Sequence, residues 1–274
     1  MTETHSMRPS DALAFPIGDT DRLIADLVPT SREPGRWSAV NAIRHLNSAW
    51  RVRGLDPEMA VFRSITAEEE AATAAFLALK RLDYPGAGLI SHRSHLHKNA
   101  LFPFGKAVAD LLSAIDTGPL QVEAFVNLDD AERLIRLRFH FPIPGTTQRF
   151  TLVPKAPLHF QLREGQRNEG ERKLVDFADQ ALALAEKNGF KSVLEYLRDR
   201  ANLRNRILYA GAAGCPCLEG NTEQALAGAR SRTFGNLLTF LIIDQYEFKQ
   251  HFVQQAVAAF LRLVKLLPPD VDFE

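Results

Sequence analysis

Apolar residues recur at three- and four-residue steps over most of the chain, with one central stretch where they alternate instead. The first spacing lines up side chains on one face of a helix, and the second lines them up on one face of a strand. Residues 1–36 carry Pro9, Pro16, Pro29, Pro34 and Gly35 around a short amphipathic piece, Asp19 to Leu27, and read as an arm held on the body by a few apolar anchors. From Ser38 onward, Val40, Ile43, Leu46, Ala49 and Trp50 mark one helical face. Thr66 followed by Glu69 has the form of a capping box, and Glu68 to Glu70 would load a first turn with negative charge. The expectation is a helix start at Thr66, a stripe through Ala72, Ala75, Phe76, Leu79 and Leu82, and a stop at Tyr84-Pro85-Gly86. A further helix is expected from about His95 to Ile115, with Pro103 kinking it or delaying its start.

After Thr117-Gly118-Pro119 the period becomes two. Val122, Ala124 and Val126 alternate, as do Ile135, Leu137, Phe139 and Phe141 against Arg136, Arg138 and His140. Asn127 to Asp130 would join these strands, a third would span Arg149 to Val153, and a fourth would carry Leu158, Phe160 and Leu162. Short strands with tight connections predict an antiparallel meander packed on one side. Helical spacing returns through Leu174, Phe177, Ala178, Ala181, Leu184 and Ala185, closed by Asn188-Gly189, and again from Phe190 to Ile207. Two apolar helices follow a glycine-rich loop, Gly211 to Gly220. The fold class expected is α+β, mainly α: a helical bundle with a small inserted four-stranded antiparallel sheet. Its parts would be an arm at 1–36, bundle segments at 37–118 and 166–267, and the β-insert at 119–165, together one composite domain.

Composition narrows the classes. The 274 residues hold 33 basic and 33 acidic side chains, 46% hydrophobic residues and 2 cysteines. That excludes a disordered tail, a collagen-like chain and a disulfide-stapled domain, and zero net charge argues against indiscriminate polyanion binding. The polar opening has no signal-peptide pattern, and charges punctuate the most apolar region, Asn236 to Leu267, so no membrane span is expected. Cys215 and Cys217 flank Pro216, too close for an unstrained disulfide, and the cytoplasm is the compartment expected.

Neither a phosphate-binding glycine loop, nor a dinucleotide fingerprint, nor a Gly-x-Ser-x-Gly elbow is present. His92, His95 and His97 lack the i, i+4 spacing of a helical zinc pair, and Arg93 and Lys98 put positive charge where a cation would sit. Cys215 and Cys217 offer two of the four ligands of a structural zinc. No metal or other cofactor is expected. The sharpest signal is the run Arg198-Asp199-Arg200-Ala201-Asn202-Leu203-Arg204-Asn205-Arg206, where four arginines face one aspartate along a helix. Guanidinium forks match phosphate oxygens, so Arg198, Arg200 and Arg206 are candidate RNA-backbone contacts.

The run from Arg204-Asn205 to Tyr209-Ala210-Gly211 resembles the Arg-Asn-x-x-x-His motif of HEPN domains. Glu68 to Glu70 in one helix, with His95-x-His97-Lys98 opening another, is similar to the arrangement in abortive-infection (AbiV-type) members. The resemblance covers about 58–115 and 170–265. It implies an α-helical, commonly dimeric protein of phage-defence or toxin type, acting on RNA as a metal-independent ribonuclease. It would assign catalysis to Arg204, Asn205 and Tyr209, with Arg204 stabilising phosphate charge and Asn205 orienting it. Tyr209 stands where the motif has histidine. A phenol titrating near about pH 10 is ill matched to proton shuttling at neutral pH, where an imidazole near about 6.5 fits. That departure leaves a copy that binds RNA or a partner without cleaving, or one that uses another base.

Two further expectations concern partners. Arg136, Arg138 and His140 on one strand, with His159, Gln161 and Arg163 on another, could form a basic sheet face for RNA, although no stacking aromatics share that phase. The apolar surplus between Phe234 and Leu267 predicts a homodimer, which also suits a non-catalytic interaction protein.

Overall fold

Alanine dominates the longest helix. A computed structural model of the chain describes residues 9–114, 121–126, 134–143, 145–164, 173–209 and 220–265. Its helices are α1 (Asp19–Leu27), α2 (Gly35–Val52), α3 (Pro57–Arg81), α4 (His95–Ala114), α5 (Ala178–Lys187), α6 (Val193–Leu208), α7 (Thr222–Asp244) and α8 (His251–Leu263). Ala60, Ala67, Ala71, Ala72, Ala74, Ala75 and Ala78 of α3 are all buried. Alanine is the best helix former and lets neighbouring backbones approach closely. The chain divides into two compact units: Met1–Ala78 with His92–Asn99 and Asp199–Asp244, and Leu79–Ser91 with Ala100–Arg198 and Gln245–Glu274.

In the first unit α1 and α2 lie against α7. The amphipathic piece expected at Asp19 to Leu27 is α1, anchored by Ile24, Ala25 and Leu27. A Cβ on Gly35, the first residue of α2, would fall 2.6 Å from Phe240 Cε2 and 3.0 Å from the Ala74 carbonyl oxygen. Glycine there lets α2 start hard against its neighbours. The helix expected to start at Thr66 begins nine residues earlier, at Pro57. Thr66 is interior, its hydroxyl donating to the Phe62 carbonyl 3.0 Å away, and Glu68 and Glu69 are buried in mid-helix. The capping pattern misled because a charged pair serving as a tertiary contact has the same local spelling as a helix start.

The second unit carries the sheet. Strands β1 (Gln121–Val126), β2 (Ile135–Pro142) and β3 (Arg149–Leu152) form an antiparallel meander in the order β1-β2-β3, with Ala124 opposite Leu137 and Phe141 opposite Phe150. It is three-stranded, not four-stranded. The segment expected as a fourth strand, Leu158 to Leu162, pairs with helix-borne groups instead. Gln250 Oε1 accepts from the Leu158 N–H at 2.9 Å, the Leu158 carbonyl accepts from the Phe252 N–H at 2.9 Å, and Gln255 bonds both the N–H and the carbonyl of Leu162. Gln245 does the same for Ile135 at the start of β2. With its peptide groups satisfied this way, the segment needs no ladder partner. Two short strands, β4 (Arg163–Glu164) and β5 (Lys173–Leu174), pair nearby. Leu174 therefore belongs to a strand, and Phe177, at φ 60°, precedes α5.

Rings tie this unit together. Phe160 stacks on Phe252 at 4.7 Å, Phe252 meets Phe177 edge-on at 6.2 Å, Phe177 meets Phe104 at 5.9 Å, and Phe104 meets Phe260 at 5.6 Å. Pro103 lies inside α4. Helices α7 and α8 bury long apolar faces, so the apolar surplus near the end of the chain is largely taken up within it. No described helix is long and apolar enough to cross a membrane. The turns expected at Thr117 to Pro119 and Asn127 to Asp130, and Cys215 and Cys217, lie outside the described residues.

Candidate functional site

Consecutive residues on a helix point about 100° apart, so Glu68 and Glu69 leave α3 toward different neighbours. The Glu68 carboxylate, 2% exposed, receives Arg200 Nη2 and Arg232 Nε, each at 2.6 Å. Asn236 Nδ2 reaches the Glu68 backbone carbonyl at 3.4 Å. The Glu69 carboxylate, 5% exposed, meets His95 Nδ1 at 2.6 Å, Lys98 Nζ at 2.9 Å and Asn99 Nδ2 at 3.2 Å. These three residues occupy positions i, i+3 and i+4 of α4 and so share one face.

Arg200 and Arg204 are likewise one turn apart on α6. Arg200 serves Glu68, whereas Arg204 Nη1 lies 3.2 Å from His95 Nε2, and its guanidinium sits 5.0 Å from the Phe62 ring centroid. Phe62, Glu68, Glu69, His95, Lys98, Asn99, Arg200, Arg204, Arg232 and Asn236 all belong to the first unit. Among the described residues, two carboxylates here meet four permanent cations, which leaves a positive surplus suited to an anionic ligand. His95 is 44% exposed on its side chain and Arg204 is half-buried, so the charge is reachable from solvent at their end of the cluster.

The remaining expected site residues fall elsewhere. Asn205 is exposed, and Tyr209 is 67% exposed just past the end of α6. Arg206 pairs with Asp199; that hydrogen bond lowers the aspartate's pKa and raises the arginine's. Arg198 lies in the second unit, lining a cleft of about 390 Å³ with Arg262 and Lys265. On the sheet, Arg138 and His140 of the expected basic face have partners of their own. Arg138 bonds Glu123 at 3.0 Å and covers the Phe125 ring, and His140 bonds Thr151 at 3.0 Å and approaches Glu123. The hydrogen bond from His140, helped by Arg138, holds the Glu123 carboxyl below its ordinary range. Arg136 is half-buried near Tyr246, whose phenol burial pushes up.

Among the described residues, no three His, Cys, Asp or Glu side chains converge as a metal site. Sequence reasoning had both halves of the cluster, Glu68 to Glu70 with His95 and the arginine run, but did not join them. It missed Phe62, Arg232 and Asn236 as site residues. The signal within reach was the pair of carboxylates in an otherwise alanine-rich, core-forming stretch, since buried carboxylates demand partners. No family model, curated protein or solved structure matches this chain.

Proposed function

We propose that this chain is a HEPN-like protein of phage-defence or toxin type that works on RNA in the cytoplasm, with Arg204 holding the RNA phosphate. The observation that carries this reading is the positive surplus around Arg204, which is half-buried and set over the Phe62 ring beside an imidazole. The planar guanidinium fork suits that anion. Arg200 and Arg206 face carboxylates and contribute to the field more than to contact.

Arg204→Ala is expected to weaken binding of single-stranded RNA about tenfold and to reduce the salt slope of affinity by about one phosphate contact. Titrations at several salt concentrations check this, and unchanged affinity and slope would refute it. The reading also carries a homodimer, as the HEPN resemblance implies. Helices α7 and α8 bury much of their apolar faces, so the contact would use other surface. Light scattering at micromolar concentration should return the mass of two chains, and a one-chain mass would refute the dimer.

A further inference from the structure

The hydrogen bonds of His95 fix where its ring proton sits. A guanidinium carries donors and no acceptor, so the contact of Arg204 Nη1 with His95 Nε2 at 3.2 Å uses the nitrogen's lone pair. The proton then lies on Nδ1, facing Glu69 Oε1 at 2.6 Å. A buried carboxylate thus holds one side of the ring, and a basic nitrogen faces the cation assigned to phosphate. This is the arrangement by which a carboxylate orients an imidazole for general-base work. Among the described residues nothing holds the Tyr209 side chain in this way, and it is 67% exposed.

Resting on the RNA reading above, we infer that His95 is the proton-transfer residue of this site, in the role that the sequence motif gives to position 209, with Glu69 as its positioning residue. In the free chain Arg204 covers the His95 lone pair. A bound phosphate turns the guanidinium toward its own oxygens and uncovers Nε2. The ribose 2′-hydroxyl then gives its proton to Nε2 as its oxygen bonds to phosphorus. The bond from phosphorus to the 5′ oxygen breaks, and that oxygen takes a proton from water. His95 returns its proton to the resulting hydroxide, so the products are a 2′,3′-cyclic phosphate and a 5′-hydroxyl end. Nothing is oxidised or reduced, and no metal is needed.

The test uses the full chain on a total RNA pool in the presence of EDTA, reading RNA affinity, cleavage rate and the chemistry of the new ends. His95→Gln should slow cleavage by about 10²- to 10⁴-fold while retaining RNA affinity and the wild-type melting temperature. Should that variant melt early, His95→Asn provides the same comparison. Tyr209→Phe should slow cleavage less than His95→Gln does. Glu69→Gln should slow cleavage and displace the acid limb of the pH–rate profile, to which Glu69 and Arg204, which face His95, and Lys98, which pairs with Glu69, all contribute. Wild type that binds RNA without cleaving it overturns this inference and leaves the RNA reading intact. Wild type that neither binds nor cleaves overturns both. Cleavage lost with Tyr209→Phe and kept with His95→Gln returns the role to position 209.

Discussion

Glu68→Ala is expected to remove about 3–5 kcal/mol of folding stability, the usual cost of taking one partner from a buried ion pair. Exposed pairs rarely contribute more than about 1 kcal/mol, so burial decides the size of the effect. The Glu68 side chain is 2% exposed, and its arginine partners Arg200 and Arg232 are 19% and 25% exposed, so neither guanidinium can fully hydrate where it stands. Without the carboxylate, two like charges lose the partner they share. Glu68→Gln should recover little, because an amide keeps the shape and one acceptor but not the charge. Urea unfolding monitored by circular dichroism measures the loss. A drop below about 1 kcal/mol would mean that the arginines swing out to water, and that the triad is a surface feature in energetic terms.

Phe252→Ala is expected to cost a similar amount, about 3–5 kcal/mol, by a different mechanism. The ring is 6% exposed, stacks on Phe160 at 4.7 Å and meets Phe177 edge-on at 6.2 Å. Its removal leaves a cavity and breaks a chain of ring contacts, each worth about 0.5–1.5 kcal/mol beyond simple burial. The loss should also have a location. Phe160 belongs to the segment from Leu158 to Leu162, which leans on α8 for backbone partners, so its amides should exchange faster with solvent. Phe252→Leu should restore part of the stability. Unchanged exchange at Leu158 and Leu162 together with a small stability loss would contradict this account.

Much of the fold was legible because it follows from local periodicity. The span of α1 and the alternation in β1 and β2 appear in the structure where the spacing placed them. Two of the features that were not legible show why. Thr66 and Glu69 look like a helix start because capping depends on spacing alone, whereas Ala60 and Ala67 show the helix running through that point in a buried environment. Leu158 to Leu162 has strand periodicity, but its partners are glutamine side chains about 92 positions away, a pairing that spacing cannot express. The candidate site has the same character. His95 lies 26 positions from Glu69 and 109 from Arg204, so each piece was visible and their meeting was not.

The glutamines that hold Ile135, Leu158 and Leu162 read peptide groups, which every residue other than proline presents alike. A side chain that recognises only the backbone leaves the recognised stretch free to drift in sequence while its path stays fixed. The constraint on that path therefore rests on Gln245, Gln250 and Gln255, and an exposed neighbour such as Gln161 is open to replacement. This part of the chain can acquire a new surface without acquiring a new fold.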